Sequence, residues 1–82
     1  MIVGVVVRDF TAYLIEEDKE TVVESKILEH CLALSLYTED GQYIGVLGSS
    51  SGEFSFYAKG RIVKVERDID SPQNLNVYVK TV

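Results

Sequence analysis

The chain has 82 residues, a formal net charge of −5 and a single cysteine. That length holds one domain, residues 1–82, with no room for a second core. A chain so short buries only about 60% of the surface its unfolded form exposes. The lone Cys31 excludes a disulfide scaffold and a four-ligand zinc site, and one free thiol suits a reducing compartment. The first residues carry no basic-then-apolar leader pattern, and no apolar run approaches the roughly 20 residues that span a bilayer. A soluble, cytoplasmic protein is the expectation.

The charge is uneven. Residues 1–40 hold nine acids against Arg8, Lys19 and Lys26, a balance of −6, whereas residues 41–82 balance to +1. Nucleic-acid binders generally carry net positive charge, because phosphate neutralisation supplies much of their affinity. The whole chain argues against that class, while the second half leaves room for a local basic strip.

In chain order, MIVGVVV (1–7) is a continuous apolar run rich in β-branched residues, the pattern of a strand covered on both faces. FTAYLIE (10–16) partly alternates, with Arg8-Asp9 as a tight turn or a bend before it. EEDKETVVESKILEHC (16–31) reads equally as helix or strand. Val23, Ile27, Cys31 and Leu34 recur at helical spacing, and Asp18 could cap a first turn rich in Glu. The reading adopted is one short helix near residues 20–31.

LALSLYTEDGQYIGVLG (32–48) predicts a β-hairpin. A two-residue turn on Asp40-Gly41 would pair Leu36 with Gly45 and mix apolar and polar residues on both faces. A three-residue loop, Glu39-Asp40-Gly41, opposes Tyr37 to Tyr43, Leu36 to Ile44 and Leu34 to Val46. That register gathers Leu32, Leu34, Leu36, Ile44 and Val46 on one face, and a slip of one residue flips every side chain. It also suits a type I turn followed by Gly41 in the left-handed conformation. GSSSG (48–52) follows as a loop, then EFSFYA (53–58) with Phe54, Phe56 and Ala58 on one face. GRIVKVERD (60–68) is expected to turn Val63 and Val65 inward, and LNVYVKT (75–81) Leu75, Val77 and Val79. Five or six short strands with frequent turns predict a mainly β fold, a small antiparallel barrel.

Little here carries chemistry. His30 and Cys31 are adjacent, so their side chains diverge on a strand or a helix and a thiol–imidazole pair is not expected. A buried cysteine beside a surface histidine is the plainer reading. No carboxylate spacing marks a catalytic pair, and one histidine with one cysteine is a poor metal set. GSSSG lacks the lysine and the strand-to-helix setting of a phosphate loop. A non-enzyme without cofactor or metal is expected. Tyr37 and Tyr43 form an outward cross-strand pair flanked by Glu39 and Asp40, and exposed tyrosines serve as interface anchors or stacking platforms. Lys59, Arg61, Lys64 and Arg67 are the candidate nucleic-acid strip.

One family resemblance follows from these residues. With an opening strand IVGVVV, then ESKILEHCLALSLY (24–37), EDGQ (39–42), YIGVL (43–47), GRIVKV (60–65) and LNVYVK (75–80), the chain resembles the HIRAN domain. That domain is a small β-barrel found alone or fused to DNA-remodelling helicases. The resemblance implies a barrel fold. The family's segment before its tyrosine strand carries Asn-Pro and Asp-x-Asn motifs that help bind single-stranded DNA ends. This chain has Ile27-Leu28 and His30-Cys31-Leu32 there, and GSSSG where the family has a helical segment, so no DNA-binding residue carries over. The leading expectation is therefore an interaction module that binds another macromolecule, a protein first, through Tyr37, Tyr43, Glu39 and Asp40. An acidic inhibitor of viral type is one version of it. Single-stranded nucleic-acid binding and a structural role in a homo-oligomer are the alternatives, and no membrane partner is expected.

Overall fold

The structure, a computed structural model, describes residues 1–17, 23–48 and 52–81. Eight strands run in chain order: β1 (Ile2–Arg8), β2 (Thr11–Glu17), β3 (Val23–Leu28), β4 (Ala33–Thr38), β5 (Tyr43–Gly48), β6 (Phe54–Tyr57), β7 (Arg61–Arg67) and β8 (Asn74–Lys80). They form two four-stranded sheets, sheet A in the order β3-β2-β1-β6 and sheet B in the order β5-β4-β8-β7. The expected single barrel of five or six strands is thus replaced, among the described residues, by two sheets that share one core. Nor is every pair antiparallel, because β4 and β8 run parallel in the middle of sheet B.

Alternation explains the core. Val5, Val7, Ala12 and Leu14 point from sheet A, and Leu34, Ile62, Leu75, Val77 and Val79 from sheet B, all buried, with Phe54, Phe56, Leu36, Leu47 and Val65 packed around them. The two sheets approach most closely where β1 runs beside β7. Central strand β1 is not covered on both faces, as its apolar run suggested. Val6, Tyr13 and Ile15 remain partly exposed on the outer side, beside Ile27 and Tyr57, which are well exposed.

The expected helix near residues 20–31 is corrected by β3. Residues 23–28 pair antiparallel with β2, Tyr13 opposite Ile27 and Leu14 opposite Lys26. The outer edge of β2 offers a full row of backbone bonding groups, and a strand satisfies them where a helix could not. The Lys26 ammonium reaches Glu16 at 2.9 Å across this pair. The expected cap at Asp18 and the serines of GSSSG, residues 49–51, lie outside the described residues.

Two local details position the rest. The β1–β2 turn falls on Asp9-Phe10, both at positive φ (51° and 61°), one residue later than Arg8-Asp9. The carbonyl of Phe10 accepts the Cys31 N–H at 2.7 Å, while the next amide, Leu32 N–H, donates to Gln73 at 2.7 Å. Consecutive amides of the β3–β4 crossover therefore tie it to both sheets, and His30 enters it at φ 54°. On β7 the register shifts between Ile62 and Lys64. This extra residue makes Ile62 the buried one and leaves Val63 44% exposed, correcting the expected inward Val63.

Candidate functional site

The β4–β5 hairpin has the expected three-residue loop. Gly41 N–H donates to the Thr38 carbonyl at 3.0 Å and Thr38 N–H to the Gln42 carbonyl at 2.8 Å. Gly41 lies at φ 92°, where a side chain is strained. The Thr38 hydroxyl accepts the Gln42 N–H at 2.9 Å and donates to the Asp40 carboxylate, so Asp40 serves the turn itself.

Tyr37 and Tyr43 oppose one another as expected, but the register then shifts between Leu36 and Tyr37. Beyond that point Leu36 faces Gly45, Ser35 faces Val46 and Leu34 faces Leu47. One extra residue lets the loop oppose the tyrosines and still lets Leu47, rather than Val46, join Leu34 on the core face. The expected core set is therefore corrected. Ile44 and Val46 are 52% and 57% exposed, and Leu32, just before β4, is also exposed.

The tyrosine pair belongs to a longer row. Tyr37 is level with Tyr43 on β5 and with Tyr78 on β8, and Tyr78 is level with Lys64 on β7. One side chain from each strand of sheet B thus stands in a line across its outer face. The Tyr37 and Tyr43 rings meet edge to face with centroids 5.7 Å apart. Tyr37 and Tyr78 stack at 5.1 Å with planes 20° apart, and the Lys64 ammonium lies 5.2 Å from the Tyr78 centroid. Glu66 closes the row, accepting the Tyr78 hydroxyl at 2.9 Å and pairing with Lys64 at 3.1 Å. Hydrogen bonding to Lys64 and Tyr78 lowers the Glu66 carboxyl below its ordinary pKa. The Glu66 hydrogen bond in turn raises the Tyr78 phenol.

Because β5 and β8 flank β4 on opposite sides, Tyr43 and Tyr78 approach Tyr37 from opposite directions. Tyr78 is likewise held between Tyr37 and Lys64. The two inner rings are partly buried among their neighbours, whereas Tyr43, at the edge of the sheet, is 61% exposed. Tyr43 is therefore the most exposed ring of the row, followed along β5 by exposed Ile44 and Val46 and preceded by Glu39 and Asp40 in the adjoining loop.

The four basic residues are not gathered. Lys59 lies between β6 and β7, and Arg61 is level with Lys80 at the far end of β7. Lys64 belongs to the tyrosine row. The Arg67 guanidinium donates to the carbonyls of His30 at 3.2 Å, of Pro72 at 2.6 Å and of Glu29, pinning the β3–β4 crossover to the β7–β8 turn. Cys31 is fully buried and its thiol donates to the Ala33 carbonyl at 3.5 Å. Burial pushes that thiol above its ordinary pKa, away from the thiolate a nucleophile needs.

Tyr78 and Lys64 were missed as partners of Tyr37. The outward parity of Tyr78 was legible and that of Lys64 was not, and the level of both with Tyr37 depends on the parallel β4–β8 pairing between strands far apart in sequence.

Fold and surface together define a small two-sheet β domain with an aromatic row across one sheet. No family model matches the chain, and neither a curated protein nor a solved structure does. No helix among the described residues is long and apolar enough to cross a membrane.

Proposed function

We propose that this protein is a non-enzymatic interaction module that binds another protein through the β5 side of sheet B, with Tyr43 as the anchor. The observation that supports the reading is the asymmetry of the tyrosine row. Tyr37 and Tyr78 are fixed by their neighbours, so Tyr43 is presented on a rigid base beside exposed Ile44 and Val46. An aromatic residue among apolar neighbours, already ordered before binding, is the kind of residue that carries interface energy.

Base stacking asks for something different, namely ring faces open to a nucleobase. With Tyr37 and Tyr78 packed against one another and against Tyr43 and Lys64, and Arg67 turned to backbone carbonyls, the protein reading is preferred to the nucleic-acid one that a HIRAN-like barrel would suggest. The test is quantitative affinity selection with the wild type and Tyr43→Ala, beside titration of a short single-stranded oligonucleotide at low salt. The reading expects specific captured proteins to be lost with Tyr43→Ala and no salt-dependent oligonucleotide binding. Unchanged capture, or tight salt-sensitive oligonucleotide binding, overturns it.

A further inference from the structure

We propose that the occupant of the β5 edge is a second copy of this chain, paired antiparallel with β5 about a two-fold axis through Val46. This rests on the reading that the β5 side of sheet B is a contact surface.

β5 ends sheet B, so one side of its backbone has no strand partner among the described residues. Which of its groups face outward follows from the ladder. The Thr38 N–H turns toward β5, to Gln42. By the alternation of an antiparallel pair, Leu36 and Leu34 also bond across to β5, whereas Ser35 opposite Val46 does not. The Val46 N–H and C=O therefore point away from β4, into the open edge. Such groups are a template for an extended strand.

The other three sheet edges carry the usual protections. β3 bears Lys26, and β7 bears Arg61, Lys64, Glu66 and Arg67. β6 has only four residues, and Glu53 and Lys59 lie beside it. β5, YIGVLG, has six residues and no charge or proline.

The same features choose a second copy as the occupant. In a two-fold pair centred on Val46, each Val46 exchanges both backbone bonds with the partner's Val46. Gly45 then meets the partner's Leu47 on the core-facing side, a small residue opposite a large one. No like charges face each other within the paired strands, although the chain as a whole carries −5. The valines meet on the outer face, beside Tyr43 and its tyrosine row. The two sheets B would become one continuous eight-stranded sheet. An isologous contact of this kind closes on itself and stops at the dimer.

Equilibrium sedimentation of the wild type, Val46→Lys and Ile44→Glu tests the proposal, with circular dichroism showing that each folds. The wild type should double in mass with rising concentration, and both variants should stay at single mass. Directly opposed residues of a bonded antiparallel pair have Cα atoms about 5.5 Å apart, within the range of a disulfide. Val46→Cys should therefore cross-link into a dimer under mild oxidation, while Ser25→Cys on the β3 edge does not. A wild type of single mass up to about 1 mM, or Val46→Cys cross-linking no faster than Ser25→Cys, overturns the dimer. If Tyr43→Ala still abolishes capture of a different protein in that case, the protein-binding reading survives it.

Discussion

Tyr37 stacks on Tyr78 across the parallel β4–β8 ladder, with ring centroids 5.1 Å apart. The contact ties the hairpin to the last strand and makes the outer face of sheet B one connected surface. Through Tyr78 the row continues to Glu66 and Lys64, and through Tyr37 to Tyr43. Each ring packs on the next, and exposure rises from the centre of the row to Tyr43 at the edge. Burial and exposure are thus divided between neighbours, with Tyr37 as support and Tyr43 as the proposed contact.

This division predicts unequal stability effects. Tyr37→Ala removes two aromatic contacts and Tyr43→Ala one, and each such pair contributes about 0.5–1.5 kcal/mol beyond its buried area. Tyr37→Ala should cost roughly 2–3 kcal/mol with its buried area included, and Tyr43→Ala about 1. Urea unfolding measures both. Equal losses would mean that the row is not built around Tyr37.

Glu66 and Tyr78 predict a pH response of two signs. The lowered Glu66 carboxyl favours the ionised form in the folded state, so its contribution is full at neutral pH and fades as pH falls through its folded pKa. The raised Tyr78 phenol favours the protonated form, so its contribution is full below the ordinary tyrosine value of 10.0 and fades above it. Ultraviolet titration of phenolate absorbance should show one tyrosine ionising later than in Glu66→Gln. Superimposable titration curves for the two proteins would contradict the hydrogen bond's role.

Much of this was legible in local pattern. The strict alternation of β8, the three-residue loop at Gly41 and the Tyr37–Tyr43 pair all follow from side-chain period and turn chemistry. Three of the misplaced residues share one cause, since Ile44 and Val63 sit at one-residue insertions in the ladder and Val46 lies just beyond the first of them. A bulge breaks the period of two on which such readings depend, and only the partner strand shows where it falls. The helix reading near 20–31 failed for a related reason. Ile27 and Cys31 do recur at helical spacing, but the open edge of β2 decided the conformation. Pairings between distant strands, above all β4 with β8, leave no local mark, so Tyr78 could not be joined to the site.

Two glycines separate backbone conformation from close approach. A Cβ at Gly41 would meet nothing within 4 Å, so Gly41→Ala costs only the left-handed backbone, about 1 kcal/mol. Gly41→Asn should cost less, since Asn tolerates that conformation. At Gly60 a Cβ would lie 1.9 Å from the Lys80 carbonyl oxygen, and backbone must move. Gly60→Ala should therefore lower the thermal midpoint far more than Gly41→Ala. A reversed order in thermal melts would refute the close packing of β8 against the β6–β7 connection.

Arg67 tests whether the basic residues serve structure or ligand. Its guanidinium reaches carbonyls of Glu29, His30 and Pro72, on two separate segments, and hydrogen bonds from a charged donor contribute about 1.5–3 kcal/mol when well shielded. These bonds are exposed, so Arg67→Ala should cost about 1–2 kcal/mol after solvent screening. Arg67→Lys should recover little, because one ammonium cannot span three carbonyls as a planar fork does. Native-state hydrogen exchange should show faster exchange of the Cys31 and Leu32 amides, whose bonds to Phe10 and Gln73 hold the crossover. If Arg67→Lys matched the wild type in both stability and exchange, Arg67 would be free to meet a phosphate, and the nucleic-acid reading would regain ground.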